Sequence, residues 1–308
     1  MKLSRRSLFK ISAITTTFIL QGSRSILAQQ PTLITKAIPS TRHQLPVIGI
    51  GARNYRIGKG WSTNTQEFLK TLEVFHRLGG RLIDTSPNYG NSEIVIGKLI
   101  ADLGLRKDLF LATKVDKKDD SSSTARMEDS MRHLHTNHIE LMQVHNLISW
   151  KQQLPLLREW KHKGRISHLG ITTSNSRQYN EMEQIIKQEP IDFIQIDYAV
   201  DNRLASNRIL PLAADLGIAV LINLPFGRGR LFNRVKGLDL PDWAIEIDCQ
   251  SWAQFFLKYV VSEPAVTVAI PGTTKPHHAI DNLGAALGKM PDDLFRKRME
   301  NFIDRLPT

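Results

Sequence analysis

Four side chains in this sequence stand where chemistry is possible: Asp84, Tyr89, Lys114 and His145. Asp84 closes a short apolar run in the stretch LIDTSPNYGNSE, and Tyr89 follows five residues later. Lys114 comes 30 residues after Asp84, in LFLATKV, and His145 comes 31 after Lys114, in ELMQVHN. A carboxylate and a phenol at one strand end, with an ammonium and an imidazole at the next two, make a proton-handling set. Taken singly, each has a structural explanation. Asp84 before Thr85-Ser86-Pro87 suits a turn cap, Tyr89 half-buried packing, Lys114 a surface charge, and His145 a buried ring bonded to backbone. Taken together they read differently, because a lysine ending LFLAT and a histidine ending LMQV are costly placements unless paired or used.

To bring the four together, the elements that carry them must be neighbours. Strands are expected to begin near Arg81, Leu109, Ile139, Ile166, Phe193, Ile218 and Val266, which are 28, 30, 27, 27, 25 and 48 residues apart. Between them lie amphipathic stretches such as TQEFLKTLEVFHRLG and NEMEQIIKQE, with apolar residues three and four apart. A strand, a helix and two loops take about 30 residues, so the first five gaps are single strand–helix units and the sheet is parallel. No G-x-G-x-x-G follows the first of these strands, which argues against an open dinucleotide-binding sheet. The expected fold is an α/β (β/α)₈ TIM barrel, and a barrel of about 250 residues accounts for most of the chain. The eighth strand is sought in 282–287, and LPVIGIG (45–51), ahead of the first strand, is expected as a short N-terminal hairpin cap on the barrel bottom. The long sixth gap enlarges the loop after strand 6, Phe226 to Trp243. At the top of a barrel that loop is a candidate lid.

Composition narrows the class. The chain has 308 residues, 41% hydrophobic and 23% charged, with no apolar run near the roughly 20 residues that span a bilayer; it is expected to be globular, without a stable membrane span. Five of the +11 net charges, and no acid, fall in residues 1–28, leaving +6 for the rest. Those remaining charges are interleaved rather than blocked, so nucleic-acid binding is not expected. Cys249 is the only cysteine, which excludes an intrachain disulfide and a thiolate metal cluster. Ser4-Arg5-Arg6-Ser7-Leu8-Phe9-Lys10 precedes a short apolar run, Ile11 to Leu20, and a small-residue region ending near Ala28. This resembles a twin-arginine signal peptide over residues 1–28, which implies export by the twin-arginine machinery, a route for already folded proteins, to the periplasm or beyond. Residues 29–40 read as linker and 41–308 as one barrel domain.

The motifs resemble the aldo-keto reductases: IDTSPNYGNSE, the pair Thr113-Lys114, VHN at 144–146, HKGRISHLGITTSN, IDFIQIDY and AIPGTTKPHHAIDNLGA. The resemblance covers roughly 41–308 and implies reduction of aldehydes or ketones with a nicotinamide cofactor and no metal. Tyr89 is then the general acid, Lys114 the ammonium that stabilises the phenolate left behind, and Asp84 the partner that holds Lys114. His145 donates a hydrogen bond to the substrate oxygen. The same resemblance puts an adenosine 2′-phosphate near Gly272, Thr273, Thr274, Lys275, His278, Asp281 and Asn282. Hydroxyls, a lysine and a helix start suit a phosphate dianion, so NADP(H) is expected. Gln195 matches the glutamine near the carboxamide, and Phe226, Gly227, Gly229 and Leu231 match the loop over the pyrophosphate. Two positions depart from the family pattern: Asn223 stands where a nicotinamide-stacking tyrosine is usual, and Thr172-Thr173 replaces a Ser-Asn pair. The family also includes regulatory barrels, the potassium-channel β-subunits. A nucleotide-binding redox-sensing subunit with little turnover is therefore the alternative to an exported carbonyl reductase.

Overall fold

The computed structural model describes residues 32–58 and 62–306; the expected signal peptide lies outside them. Among the described residues eight strands form one parallel sheet: β3 (Ile50–Gly51), β4 (Leu82–Asp84), β5 (Phe110–Val115), β6 (Ile139–Val144), β7 (Ile166–Thr172), β8 (Phe193–Asp197), β9 (Ala219–Asn223) and β10 (Val268–Ala269). The first and last close on each other. Ala269 N–H donates to Val47 O and Gly49 N–H to Ala269 O, both at 2.9 Å, and Gly51 pairs with Gly272. The helices expected between strands follow in turn, α1 (Thr65–Arg77), α2 (Ser92–Leu103), α3 (Asp120–His133), α4 (Trp150–His162), α5 (Tyr179–Gln188), α6 (Ile209–Asp215), α7 (Arg230–Arg234) and α8 (Trp252–Val261), and α9 (Pro276–Gly284) and α10 (Asp293–Asp304) come after β10. Asn64 starts α1 by accepting the Glu67 N–H at 3.0 Å, and Phe68, Leu72 and Phe75 form the face it buries.

Three expectations are corrected. The eighth strand is not in 282–287, where α9 ends and a turn follows; it is β3, at the end of LPVIGIG. A strand of two residues has too little length to show a period, and on one side its partner is more than 200 residues away. Asp84 therefore ends the second barrel strand, and the enlarged loop follows the seventh, β9. The stretch read as linker also carries a strand. Thr35–Ala37 (β1) pairs antiparallel with Gln44–Pro46 (β2), so the cap is this hairpin, and only the beginning of LPVIGIG belongs to it.

The alternation of a strand fixes what faces inward. Leu82 and Asp84, Phe110, Ala112 and Lys114, Leu141 and Gln143, Phe193 and Gln195, and Leu221 and Asn223 are same-face series with period two. Each begins apolar and ends polar. The lower residues Leu82, Phe110, Leu141, Phe193 and Leu221 pack with Ile38 and Leu45 of the hairpin into a core of their own. Above this plug the interior is polar. The larger core lies between the strands' outer faces and the helices.

Candidate active site

Above the plug the strand ends open into a cavity of about 1110 Å³ lined by Asp84, Tyr89, Lys114 and His145 together. Lys114 is 1% exposed and Asp84 2%. The ammonium donates to both Asp84 oxygens, at 2.8 and 2.7 Å, and to Thr85 O at 2.7 Å. The side-chain amides of Gln143 and Gln195 each donate to the same carboxylate at 3.3 Å. Burial works against the charge on Lys114, but Asp84 foremost, with Tyr89 and Glu93 behind it, more than offsets that and raises its pKa. The pair thus has the full set of hydrogen bonds that a buried ion pair requires.

Tyr89 is carried on the turn between β4 and α2, closed by its N–H to Ser86 O at 3.0 Å. The Lys114 Nζ lies 5.4 Å from the centre of its ring, and the His145 ring stands edge-on to it, 6.2 Å between centres. His145 leaves β6 directly and is followed by Asn146 and Leu147 at φ 54° and 57°, a left-handed stretch that L-residues adopt at a cost. Burial first, then the Lys114 charge, push the His145 pKa down to about 3. The ring is therefore neutral at ordinary pH. Its Nδ1 lies 3.3 Å from Ser86 Oγ, and that hydroxyl already accepts the Asn88 N–H at 3.2 Å. With Ser86 donating to Nδ1, the tautomer carries its proton on Nε2.

Of the residues expected at the cofactor, Gln195, Phe226, Gly229, Gly272, Thr273, His278, Asp281 and Asn282 line the same cavity. Gly227, Leu231, Thr274 and Lys275 do not. Leu231 is fully buried, Thr274 O accepts the Thr71 hydroxyl at 2.8 Å, and Lys275 is exposed at the start of α9. Asp281 accepts from Ser251 Oγ and Gln254 Nε2, each at 2.8 Å. Asn223 donates to Thr173 O at 3.2 Å. The Oδ1 of Asn223 and the Oε1 of Gln195 are buried polar atoms without a hydrogen-bond partner in the protein, on residues that line the cavity. Such orphans are uncommon, and they suit a ligand that supplies amide donors, as a nicotinamide carboxamide does. Sequence reasoning missed Arg53, Asn54 and Arg56, which also line the cavity. They follow β3, so reading Ile50–Gly51 as the bottom cap hid them. It also missed Glu93, buried behind Lys114, which accepts from Thr113 Oγ1 at 2.6 Å and Ser130 Oγ at 3.2 Å.

Comparison with known proteins fits this geometry. Residues 47–300 match the model of the Aldo/keto reductase family. The chain is 29% identical over 203 residues to aldo-keto reductase YhdN of Bacillus subtilis (strain 168), a match spanning 60% of this chain and 60% of that one. It is 26% identical over 232 residues to the NADH-specific methylglyoxal reductase of Escherichia coli (strain K12), spanning 64% and 69%. Among solved structures, its fold is similar to an aldo-keto reductase from Klebsiella pneumoniae in complex with NADPH, with TM-score 0.74 and 21% identity over 90% of this chain and 100% of that one. A Bacillus halodurans aldo-keto reductase in its holo form gives TM-score 0.70 at 20% identity, over 88% and 96%.

Proposed function

This chain belongs to the aldo/keto reductase family, and we propose that it is an exported, NADP(H)-dependent reductase of aldehydes and ketones in which Tyr89 is the general acid. The observation that carries the reading is the buried Lys114–Asp84 pair beneath Tyr89, with a neutral His145 at its edge. When bound, the reduced nicotinamide supplies a hydride to the carbonyl carbon. Negative charge then grows on the carbonyl oxygen, and the protein's part is to polarise and protonate it. His145 donates its Nε2–H to that oxygen and orients the carbonyl. Tyr89 transfers the phenol proton to the same oxygen, and the Lys114 ammonium offsets the charge left on the ring. Asp84, acting through Lys114, keeps the ammonium charged and in place. Gln195 and Asn223 offer acceptors for the carboxamide. Thr273, His278 and the N-terminus of α9 offer donors for an adenosine phosphate, the reason to prefer NADP(H) although one relative is NADH-specific.

Asn223 also supports a second reading, a nucleotide-binding sensor with little turnover, because an amide cannot stack on the nicotinamide as an aromatic ring does. One experiment separates the two. The mature protein should consume NADPH with a panel of aldehydes and quinones, and Tyr89→Phe should lose at least about 100-fold in kcat while binding NADPH as tightly as the native chain. Tight NADPH retention without consumption, whatever the carbonyl, favours the sensor. Undiminished turnover by Tyr89→Phe removes the proposed acid.

A further inference from the structure

Resting on the reductase reading above, we propose that the substrates are carbonyl compounds bearing an oxyanion, a carboxylate or phosphate, and that Arg53 and Arg56 bind it. Both residues line the cavity shared by Tyr89 and His145. The turn that presents them is anchored at both ends to the segment around the tyrosine. At one end Ala52 N–H donates to Asp84 O at 2.8 Å, and Ser92 Oγ donates to Ala52 O at 2.7 Å. At the other, Ile57 N–H donates to Asn91 Oδ1 at 3.2 Å, and Asn91 Nδ2 donates to Ile57 O at 2.8 Å. Between the arginines Tyr55 is fully buried against Phe68, 5.0 Å between ring centres. Two guanidinium groups are thus carried on an anchored turn fixed to the turn that holds the proposed acid.

The charge balance of the cavity agrees. Asp84 and Asp281 are the carboxylates among its lining residues. Asp84 is taken up by Lys114, and Asp281 by Ser251 and Gln254. Burial, and then the neighbouring Arg53, disfavour the charge on Arg56. An oxyanion between the two relieves that repulsion and matches the fork geometry of a guanidinium. The nucleotide's phosphates are the competing occupant, since β3 also adjoins β10. The anchoring to Asn91 and Ser92 favours the substrate.

The test pairs each anionic aldehyde with a neutral one of similar size: 4-carboxybenzaldehyde with 4-nitrobenzaldehyde, and glyceraldehyde 3-phosphate with glyceraldehyde. The native enzyme should prefer the anionic member of at least one pair in kcat/KM, and which pair tells carboxylate from phosphate. In Arg53→Gln/Arg56→Gln that ratio should fall about 10- to 100-fold, the loss of charge-assisted hydrogen bonds. Arg53→Lys/Arg56→Lys, which keeps the charges, should lose less. Calorimetry of 4-(hydroxymethyl)benzoate and of glycerol 3-phosphate with the NADPH-loaded protein, a pair with no hydride acceptor, reads the same site without turnover. Absence of any preference in the native enzyme overturns the proposal. So does a raised NADPH Kd in the glutamine variant with an unchanged substrate ratio, which would give the arginines to the nucleotide. If neither aldehyde of either pair is reduced but an anionic alcohol binds in an arginine-dependent way, the anion site stands and the reductase reading falls.

Discussion

Burial leaves Lys114 charged and His145 neutral within one cavity, and the difference lies in their partners. Lys114 meets a carboxylate with both oxygens, whereas His145 meets a hydroxyl and the Lys114 ammonium. The sequence made the four residues visible as a set, because polar groups closing apolar runs at a regular spacing are costly without a use. It did not reveal that Gln143 and Gln195 complete the shell of Asp84, since a glutamine inside a strand has no spacing of its own to betray it. The neutral state of His145 has a thermodynamic consequence. Its folded pKa is depressed to about 3, while the unfolded ring takes a proton near 6.5. Its contribution to stability is therefore complete above about pH 6.5 and is lost as pH falls from there toward 3. Between pH 7 and pH 5 the native chain should lose about 1–2 kcal/mol more unfolding free energy than His145→Gln does. His168, also depressed by burial, contributes alike to both proteins and cancels. Urea titrations at the two pH values measure the difference; equal losses would mean that the ring is charged in the folded state.

The elements were legible in proportion to their length. All seven strands expected from the spacing stand within two residues of their expected starts, from Leu82 to Val268. Short β10 was readable because the helix before it and the turn after it bracket it, whereas β3 follows a hairpin and precedes a loop without period. That one displacement hid the Arg53–Arg56 turn. The hairpin β1–β2 has a separate task at the opposite end of the barrel from the cavity. Ile38 and Leu45 are fully buried against Leu82, Phe110, Leu141 and Phe193 and seal the interior. Within the sheet the fit is equally close: a Cβ on Gly170 would lie 2.6 Å from Phe193 O. Leu45→Ala should cost about 2–5 kcal/mol, as for other large-to-small changes in a core, with NADPH affinity unchanged. Denaturant unfolding with a parallel nucleotide titration checks this. A loss below about 1 kcal/mol would show that the plug adds little to the barrel, and a matching loss of affinity would mean that it shapes the site.

At the scale of the whole molecule, the fold and the proposed destination impose a joint requirement. The barrel closes through backbone bridges at β3 and β10, Ile48 with Ala269 and Gly51 with Gly272, more than 200 residues apart, so the cavity as a whole is not complete until nearly the whole chain has folded. Its single cysteine, Cys249, is buried, and burial pushes the thiol up to about 12. An oxidising compartment therefore offers this chain neither a disulfide nor a reactive thiolate. A reductase that needs NADP(H) would have to fold around its nucleotide where the nucleotide is made. Export of the folded chain meets that need, and the Arg5-Arg6 pair before Leu8-Phe9-Lys10 has the form of the signal for it. Changing both arginines to lysine keeps the charge and removes the guanidinium pair. The expected outcome is a chain retained in the cytoplasm, folded and competent to bind NADPH, while the native sequence is found outside it with nucleotide bound. Fractionation followed by nucleotide analysis of the purified protein reads both points. Continued export of the lysine variant would remove the twin-arginine route. Export of a native chain free of nucleotide would break the link between folding, cofactor and passage, and would leave its reducing power to be supplied where it arrives.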